Sequence, residues 1–423
     1  MKKDKKIKVL MIADHIFTAS GVGTQTRYVA EALLESGKFS IINLAGAKEH
    51  ADYRPIKTEE WGDDLKIIPV KGYGNPNLIR TQLRIEKPDI LWFMTDPRYF
   101  EWLWSMSDEI RSLCPMVYYH VWDNYPVPKF NKIFYSSTDK ILTISKLTDD
   151  IVAKAAPEVS RQYIPHAVSE EQFFPMGREE IESLRKDNFD WAKKGDDRFV
   201  LFFNSRNARR KLPGTLLWWF AEWARKVGVE KTMLLMHTNP RDEHGPNLEA
   251  ILEELDLPTG TVLFSNGKLP PDAMNVMYNM ADVTCCISDA EGFGLSSLES
   301  LAAGTPVIST KTGGLQDQIT DGKEEFGVSI EPASKTIMGS QNVPYIYEDR
   351  ISKEDFFVAL DKLYDMKKEE RVALGLRAAE YIKKDFNFKD FKKVWVQTML
   401  DVHEKFGSWD TRKGYKAWHL TNF

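Results

Sequence analysis

The sequence predicts an α/β chain of two doubly wound domains, and three observations carry that expectation. Its 423 residues exceed what one ordinary core holds and suit two domains of about 150–200 residues each. Short continuous apolar runs alternate with helical stretches, the pattern of parallel strands covered on both faces. The alternation occurs twice, and a charged, less regular stretch at 169–197 separates the two series.

Taken in order, KVLMIA (8–13) reads as a first buried strand, 24–36 as a helix and FSIINLA (39–45) as a second strand. PDILWFM (88–94), MVYYHVW (116–122) and KILTIS (140–145) continue the series, and QYIPHAV (162–168) closes it. The second series has strands at 199–205, 232–238, 261–266, 283–288 and 306–310, with helices at 211–227, 246–255, 271–280 and 294–303. Helices at 353–366, 368–385 and 388–405 follow. The expected domains are therefore 1–168 and 190–385, with the last helix and tail (about 388–423) returning to the first domain. Ligands of such sheets bind beyond the carboxyl ends of the strands, so two facing sheets would share one cleft.

Composition excludes several classes. Hydrophobic residues at 43% and charged residues at 28% are the balance of a soluble globular protein. No apolar stretch approaches the roughly 18–20 residues that cross a bilayer. The basic start is followed by an apolar run that stops at Asp14 and His15, too short for a signal-peptide core. Three cysteines, two of them adjacent at 285 and 286, form no disulfide framework and point to the reducing cytoplasm. A net charge of −5 argues against a general nucleic-acid binder.

The chemistry concentrates in 281–314, ADVTCCISDAEGFGLSSLESLAAGTPVISTKTGG. A strand ends at Ser288, a short acidic loop follows, and Gly292-Phe293-Gly294 opens a helix. Glycines there let backbone N–H groups approach a phosphate, and a helix N-terminus favours negative charge. Glu291 lies in the loop and Glu299 on the helix. A carboxylate accepts two O–H donors, so the pair can hold two sets of sugar hydroxyls. Ser205-Arg206-Asn207-Ala208-Arg209-Arg210-Lys211 follows the first strand of the second series and sets a run of cations at a strand end. Ser20-Gly21-Val22-Gly23-Thr24 lies between the first strand and its helix, and His120 ends a middle strand.

The stretch 281–314 resembles the signature of the family 4 retaining glycosyltransferases, whose pattern is E-G-F-G, a second Glu on the helix, then A-x-G-x-P-V and G-G. The resemblance implies a GT-B fold and transfer of a sugar from a nucleotide diphosphate to a hydroxyl acceptor, with retained anomeric configuration. It implies that Glu291 contacts the transferred sugar and Glu299 the ribose of the donor. The backbone at Phe293, Gly294 and Leu295 would face the sugar and diphosphate. Arg206 and Lys211 match the family's Arg and Lys, five residues apart, that clamp the diphosphate; Arg209 and Arg210 leave open which cations touch phosphate. Gly21 and Gly23 match the family's glycine loop, with Ser20 in place of its first Gly. His120 matches a His near the transferred sugar, and the resemblance gives His120 and Glu291 catalytic roles. Asp123 and Asn124 are candidates for acceptor hydroxyls. Ile164-Pro165-His166-Ala167-Val168 is similar to the family's crossover segment.

No D-x-D motif or metal-ligand spacing is evident, so neither metal nor cofactor is expected, only the sugar nucleotide as co-substrate. The expected acceptor is a glycan or lipid-linked saccharide. The alternatives are a modified DNA base, for which Arg412, Lys413, Tyr415, Lys416 and Trp418 form a basic, aromatic tail, and an epimerase or hydrolase acting on the donor alone. The sequence leaves the oligomeric state open.

Overall fold

A computed structural model describes residues 5–416, and the chain divides into two compact units. The first comprises Met1–Ala167, Gly339–Ile346 and Lys389–Phe423; the second comprises Val168–Met338 and Tyr347–Phe388.

The first unit carries an eight-stranded sheet: β1 Ile7–Asp14, β2 Phe39–Gly46, β3 Ile56–Lys57, β4 Leu65–Pro69, β5 Ile90–Met94, β6 Met116–His120, β7 Lys140–Thr143 and β8 Arg161–Tyr163. The order is β3-β4-β2-β1-β5-β6-β7-β8, with only the β3–β4 pair antiparallel. The chain reverses direction across the sheet between β1 and β5, the position where doubly wound sheets hold ligands. β1 is buried from Val9 to Asp14, as its unbroken apolar run requires. The segment 51–87, where no element is predicted, adds β3, β4 and the helix Pro76–Glu86. β8 is shorter than the apolar run suggested, because Pro165 has no N–H for a ladder. The helix Gly21–Glu35 starts before the expected residue 24: Ser20 caps it, its side chain accepting from Gly23 N–H. The helix Phe388–Phe406 completes this core. Its Trp395, fully buried, meets Trp92 at 6.1 Å and Tyr119 at 4.9 Å, both edge-on.

The second unit has a six-stranded parallel sheet: β9 Phe199–Asn204, β10 Thr232–His237, β11 Val262–Ser265, β12 Val283–Cys286, β13 Val307–Thr310 and β14 Gly327–Ile330. Its order is β11-β10-β9-β12-β13-β14, so the switch point lies between β9 and β12. The stretch expected as an irregular linker contains the helix Arg178–Asn188. That helix is tied to the second unit by Arg185, whose guanidinium donates to Met280 O at 3.0 Å and to Asp282 at 2.8 Å. Its burial could not be read from the charged sequence, because the apolar stem of Arg185 and its paired head replace a hydrophobic anchor. A separate two-stranded sheet, β15 Ser334–Met338 and β16 Ile346–Arg350, was also not foreseen. The segment joining its strands belongs to the first unit, where Val343 packs with Trp122 and Ile151.

Candidate functional site

At the switch point of the second sheet, the loop after β9 and the loop after β12 lie together. Asp289 N–H donates to Arg210 O at 2.9 Å, which joins them through backbone. The Lys211 ammonium sits on the Glu291 carboxylate, and the Arg210 guanidinium reaches the same oxygen at 3.4 Å as well as Ala290 O. Both Glu291 and Lys211 are largely buried, their side chains 11% and 12% exposed, so the pair is held where water screens little. The structure thus brings Lys211 and Glu291 together and adds Arg210, which the sequence could name only as one of a run of cations.

Arg206 points elsewhere. It binds Asp242 through two bonds of 2.8 and 3.1 Å and meets His244 Nδ1 at 2.7 Å. That pairing holds the Asp242 carboxyl well below the usual carboxylate range. Arg209 is likewise committed, to Glu348 on β16, whose carboxyl its hydrogen bonds keep low. Glu348 itself is buried and lies 139 residues along the chain, a partner that no local spacing could reveal.

The glycine loop is forced by close packing. Gly294 has φ +89°, and a Cβ there would come within 2.4 Å of Leu315 Cδ2. Gly314 faces it from the other side: a Cβ would fall 2.6 Å from Phe293 Cα. Gly314 N–H donates to Glu291 O at 3.1 Å, and Gln318 Nε2 to Phe293 O at 2.6 Å. The loop is therefore pinned while the helix Leu295–Ala302 begins at Gly294 with no side-chain cap, so its first N–H groups keep their donor capacity.

Glu299, one turn into that helix, accepts from Tyr278 O–H at 2.7 Å, and Tyr278 Oη accepts from Asn204 Nδ2 at 2.7 Å. Burial pushes the Glu299 carboxyl up to about 7, against the opposing hydrogen bond from Tyr278. Asp289 is a further buried carboxylate that sequence reasoning passed over. Both its oxygens are enclosed without a hydrogen-bond partner, and burial, then the charge of Glu348, pushes it up to about 6. Its place two residues before Glu291 was the only available signal.

In the first unit, Asp14 at the end of β1 accepts from Ser20 Oγ at 2.6 Å and from Tyr73 O–H at 2.8 Å. Gly21 opens the helix that follows, and Gly23 is required by space, since a Cβ would lie 2.5 Å from Thr18 O. His120 ends β6 as expected, but it is fully buried. Its Nε2 meets Tyr135 Oη at 2.8 Å, and its Nδ1 is enclosed without a partner. Burial pushes its pKa down to about 3, so the ring is neutral at ordinary pH. Asn124 is buried and Trp122 Nε1 donates to its carbonyl at 2.7 Å. In the tail, Arg412 is not available to a polyanion: it is turned inward onto Asp139 at 2.9 Å and onto the carbonyls of Arg111 and Phe406. Tyr415 binds Asp108 and lies against Arg111. Lys413 donates to Glu404 O at 2.8 Å, and Trp418 lies outside the described residues. Among the described residues no group of three or more His, Cys, Asp or Glu could hold a metal ion, and no helix is long and apolar enough to cross a membrane.

Residues 186–356 match the family model described as glycosyl transferases group 1. A D-inositol 3-phosphate glycosyltransferase of Paenarthrobacter aurescens is 27% identical over 212 residues, 49% of this chain and 48% of the relative. The chain thus spans about half the length of that curated relative, and 18% of one from Corynebacterium urealyticum. Among solved structures, sucrose-phosphate synthase of Thermosynechococcus elongatus superposes with TM-score 0.72 at 16% identity, covering 95% of this chain and 100% of that one. Anabaena Alr3699/HepE in complex with UDP and glucose gives 0.66 at 13% identity, covering 93% and 100%. These neighbours show the fold, an α/β architecture of GT-B type.

Proposed function

We propose that this chain, whose residues 186–356 belong to the group 1 glycosyl transferases, moves a sugar from a nucleotide diphosphate to a hydroxyl acceptor with retention at the anomeric carbon. The observation that carries the reading is the convergence of Lys211 and Arg210 on Glu291 beside the uncapped start of the helix Leu295–Ala302. Cations, a carboxylate and backbone N–H donors then stand within a few ångströms of one another. That set serves a sugar joined to a leaving diphosphate: donors stabilise charge as it develops, and the carboxylate accepts from sugar hydroxyls.

In this reading the bond from the anomeric carbon to the diphosphate oxygen breaks as the acceptor oxygen bonds on the same face. The acceptor proton passes to the departing diphosphate. Lys211, Arg210 and the N–H groups at Gly294 and Leu295 bind that diphosphate, and Arg206 joins them by exchanging Asp242 for phosphate. Glu291 holds the transferred sugar, Glu299 the ribose. Neutral, fully buried His120 is a poor general base, since its pKa of about 3 lies far from neutral pH and its Nε2 is held by Tyr135 Oη. No metal is required where the protein itself supplies the cations.

The donor class is supported by the UDP and glucose bound to the Anabaena neighbour, and a polyol or sugar acceptor by the name of the inositol 3-phosphate relatives. A small hydroxylated acceptor is therefore preferred to a DNA base, since Arg412 of the basic tail is spent on internal contacts. The expected compartment is the cytoplasm. Thermal-shift screening of sugar nucleotides identifies the donor, and proton NMR of the product tests the reaction: an α-linked donor gives an α-linked product. A β-linked product refutes the same-face mechanism, and donor turnover that never glycosylates an acceptor favours a hydrolase.

A further inference from the structure

β1 and β2 are parallel neighbours with Asp14 opposite Gly46, so the loops that leave them run side by side from one edge of the first sheet. Four rings from these loops form a continuous row. Phe17 and His15 have centroids 5.8 Å apart, His15 and His50 5.7 Å, and His50 and Tyr53 5.4 Å. The ends of the row face solvent, Phe17 at 55% and Tyr53 at 47% exposed, although both are large aromatics. Burial of such rings is the rule for packing, so two exposed rings bracketing two histidines call for a ligand.

The middle of the row is polar in a defined way. His15 Nδ1 accepts from the Phe17 N–H at 3.1 Å, so the neutral ring carries its proton on Nε2. His50 Nε2 donates to Ala45 O at 2.9 Å. Burial, then the charge of Lys48, pushes the His15 pKa down to about 4, which keeps that donor–acceptor pattern at neutral pH. The row therefore has apolar ring faces at both ends and imidazole nitrogens between them. It is also rigid: His15 N–H donates to Gly46 O at 3.2 Å, and Thr18 N–H to His15 O at 2.7 Å. Gly23 packs closely against this turn, where an added Cβ would lie 3.1 Å from His15 O.

We propose that the row Phe17–His15–His50–Tyr53 is the acceptor platform, and that the acceptor presents a pyranose ring to it. A pyranose has an apolar C–H face that stacks on aromatic rings and a rim of hydroxyls that both donate and accept. An acyl chain would leave imidazole nitrogens unpaired, at the cost of desolvated polar groups. A polyanion is not favoured either: Arg54 is bound to Asp52 by two side-chain bonds, and Lys48, the cation beside His15, is followed by Glu49. The proposal rests on the transferase reading and adds the class of acceptor and the residues that select it.

The test uses the full chain, UDP-glucose and GDP-mannose as donors, and a panel of free hexoses, methyl glycosides, hexose phosphates and simple alkanols as acceptors. Phe17→Ala and Tyr53→Ala should each raise the acceptor KM about tenfold or more while the donor KM stays put, the loss expected when one aromatic contact is removed. Phe17→Tyr and Tyr53→Phe keep the rings and should remain within about twofold of the parent. Ile85→Ala, an exposed apolar change elsewhere on the first unit, is the control and should alter neither KM. Unchanged acceptor KM in both alanine variants overturns the platform, as does an equal rise in donor KM. Transfer to alkanols but to no sugar overturns it and leaves the transferase reading standing. Failure of the parent chain to transfer from any sugar nucleotide removes both.

Discussion

If Glu299 holds the donor ribose, donor binding must be coupled to a proton. Burial holds its carboxyl up at about 7, against 4.5 for an ordinary glutamate. Only the ionised form accepts from both ribose hydroxyls. At pH 6 about one chain in ten carries that form, so donor affinity should be about tenfold weaker than at pH 8, a difference of about 1.4 kcal/mol. Isothermal titration of the esterified sugar nucleotide measures this cleanly, since its diphosphate does not titrate in that range. Repeating it at pH 7 in buffers of different ionisation enthalpy should count about half a proton released per donor bound. Glu299→Gln should bind more weakly and lose the pH dependence. Affinity that is flat from pH 5.5 to 8 would refute the coupling. The same shift works on stability with the opposite sign from a paired carboxylate. The folded chain holds this proton more tightly than the unfolded one, so the contribution is full below about 4.5 and is lost as pH rises through about 7. The span is at most about 3 kcal/mol.

Other outcomes follow from the same geometry. Lys211→Ala should lower donor use by roughly 10–100-fold, the worth of one charge-assisted hydrogen bond, read as kcat/KM for the sugar nucleotide. Glu291→Ala should lower turnover yet not weaken binding of the free nucleoside diphosphate in calorimetry, because it frees Lys211 from a competing anion. Gly294→Ala places a Cβ against Leu315 at a left-handed φ and should cost about 1–3 kcal/mol in denaturant unfolding. Activity should survive EDTA; strict dependence on added Mg²⁺ or Mn²⁺ would reveal a ligand set not recognised in the residues.

The two sheets were legible because each central strand is an uninterrupted apolar run, and the donor-side loop because E-G-F-G stands at a strand-to-helix junction. What escaped the sequence is long-range or polar. β3 and β4 lie in a stretch whose short apolar runs carry charges between them, and β16 ends in three consecutive charged residues. The second-unit helix Arg178–Asn188 is anchored by a buried arginine, which hydropathy scores as surface. At the site, the motif named Arg206 and Lys211 by spacing, but pairing separates them: Asp242 engages one and Glu291 the other. The Phe17–Tyr53 row draws on two loops more than thirty residues apart, and nothing in local spacing marks it.

The burial of Trp395 in the first unit sets an order for synthesis. On a ribosome adding about 5–20 residues per second, the sheet of residues 7–163 emerges long before the helix that covers Trp92 and Tyr119. The second unit, complete by Phe388, has all its strands in hand while the first still waits for its closing piece. Nascent chains stalled so that residue 388 has left the exit tunnel but Trp395 has not should therefore carry a protease-resistant second unit and a sensitive first one that engages chaperones. Protection of the first should arrive in a single step once Trp395 has left the exit tunnel.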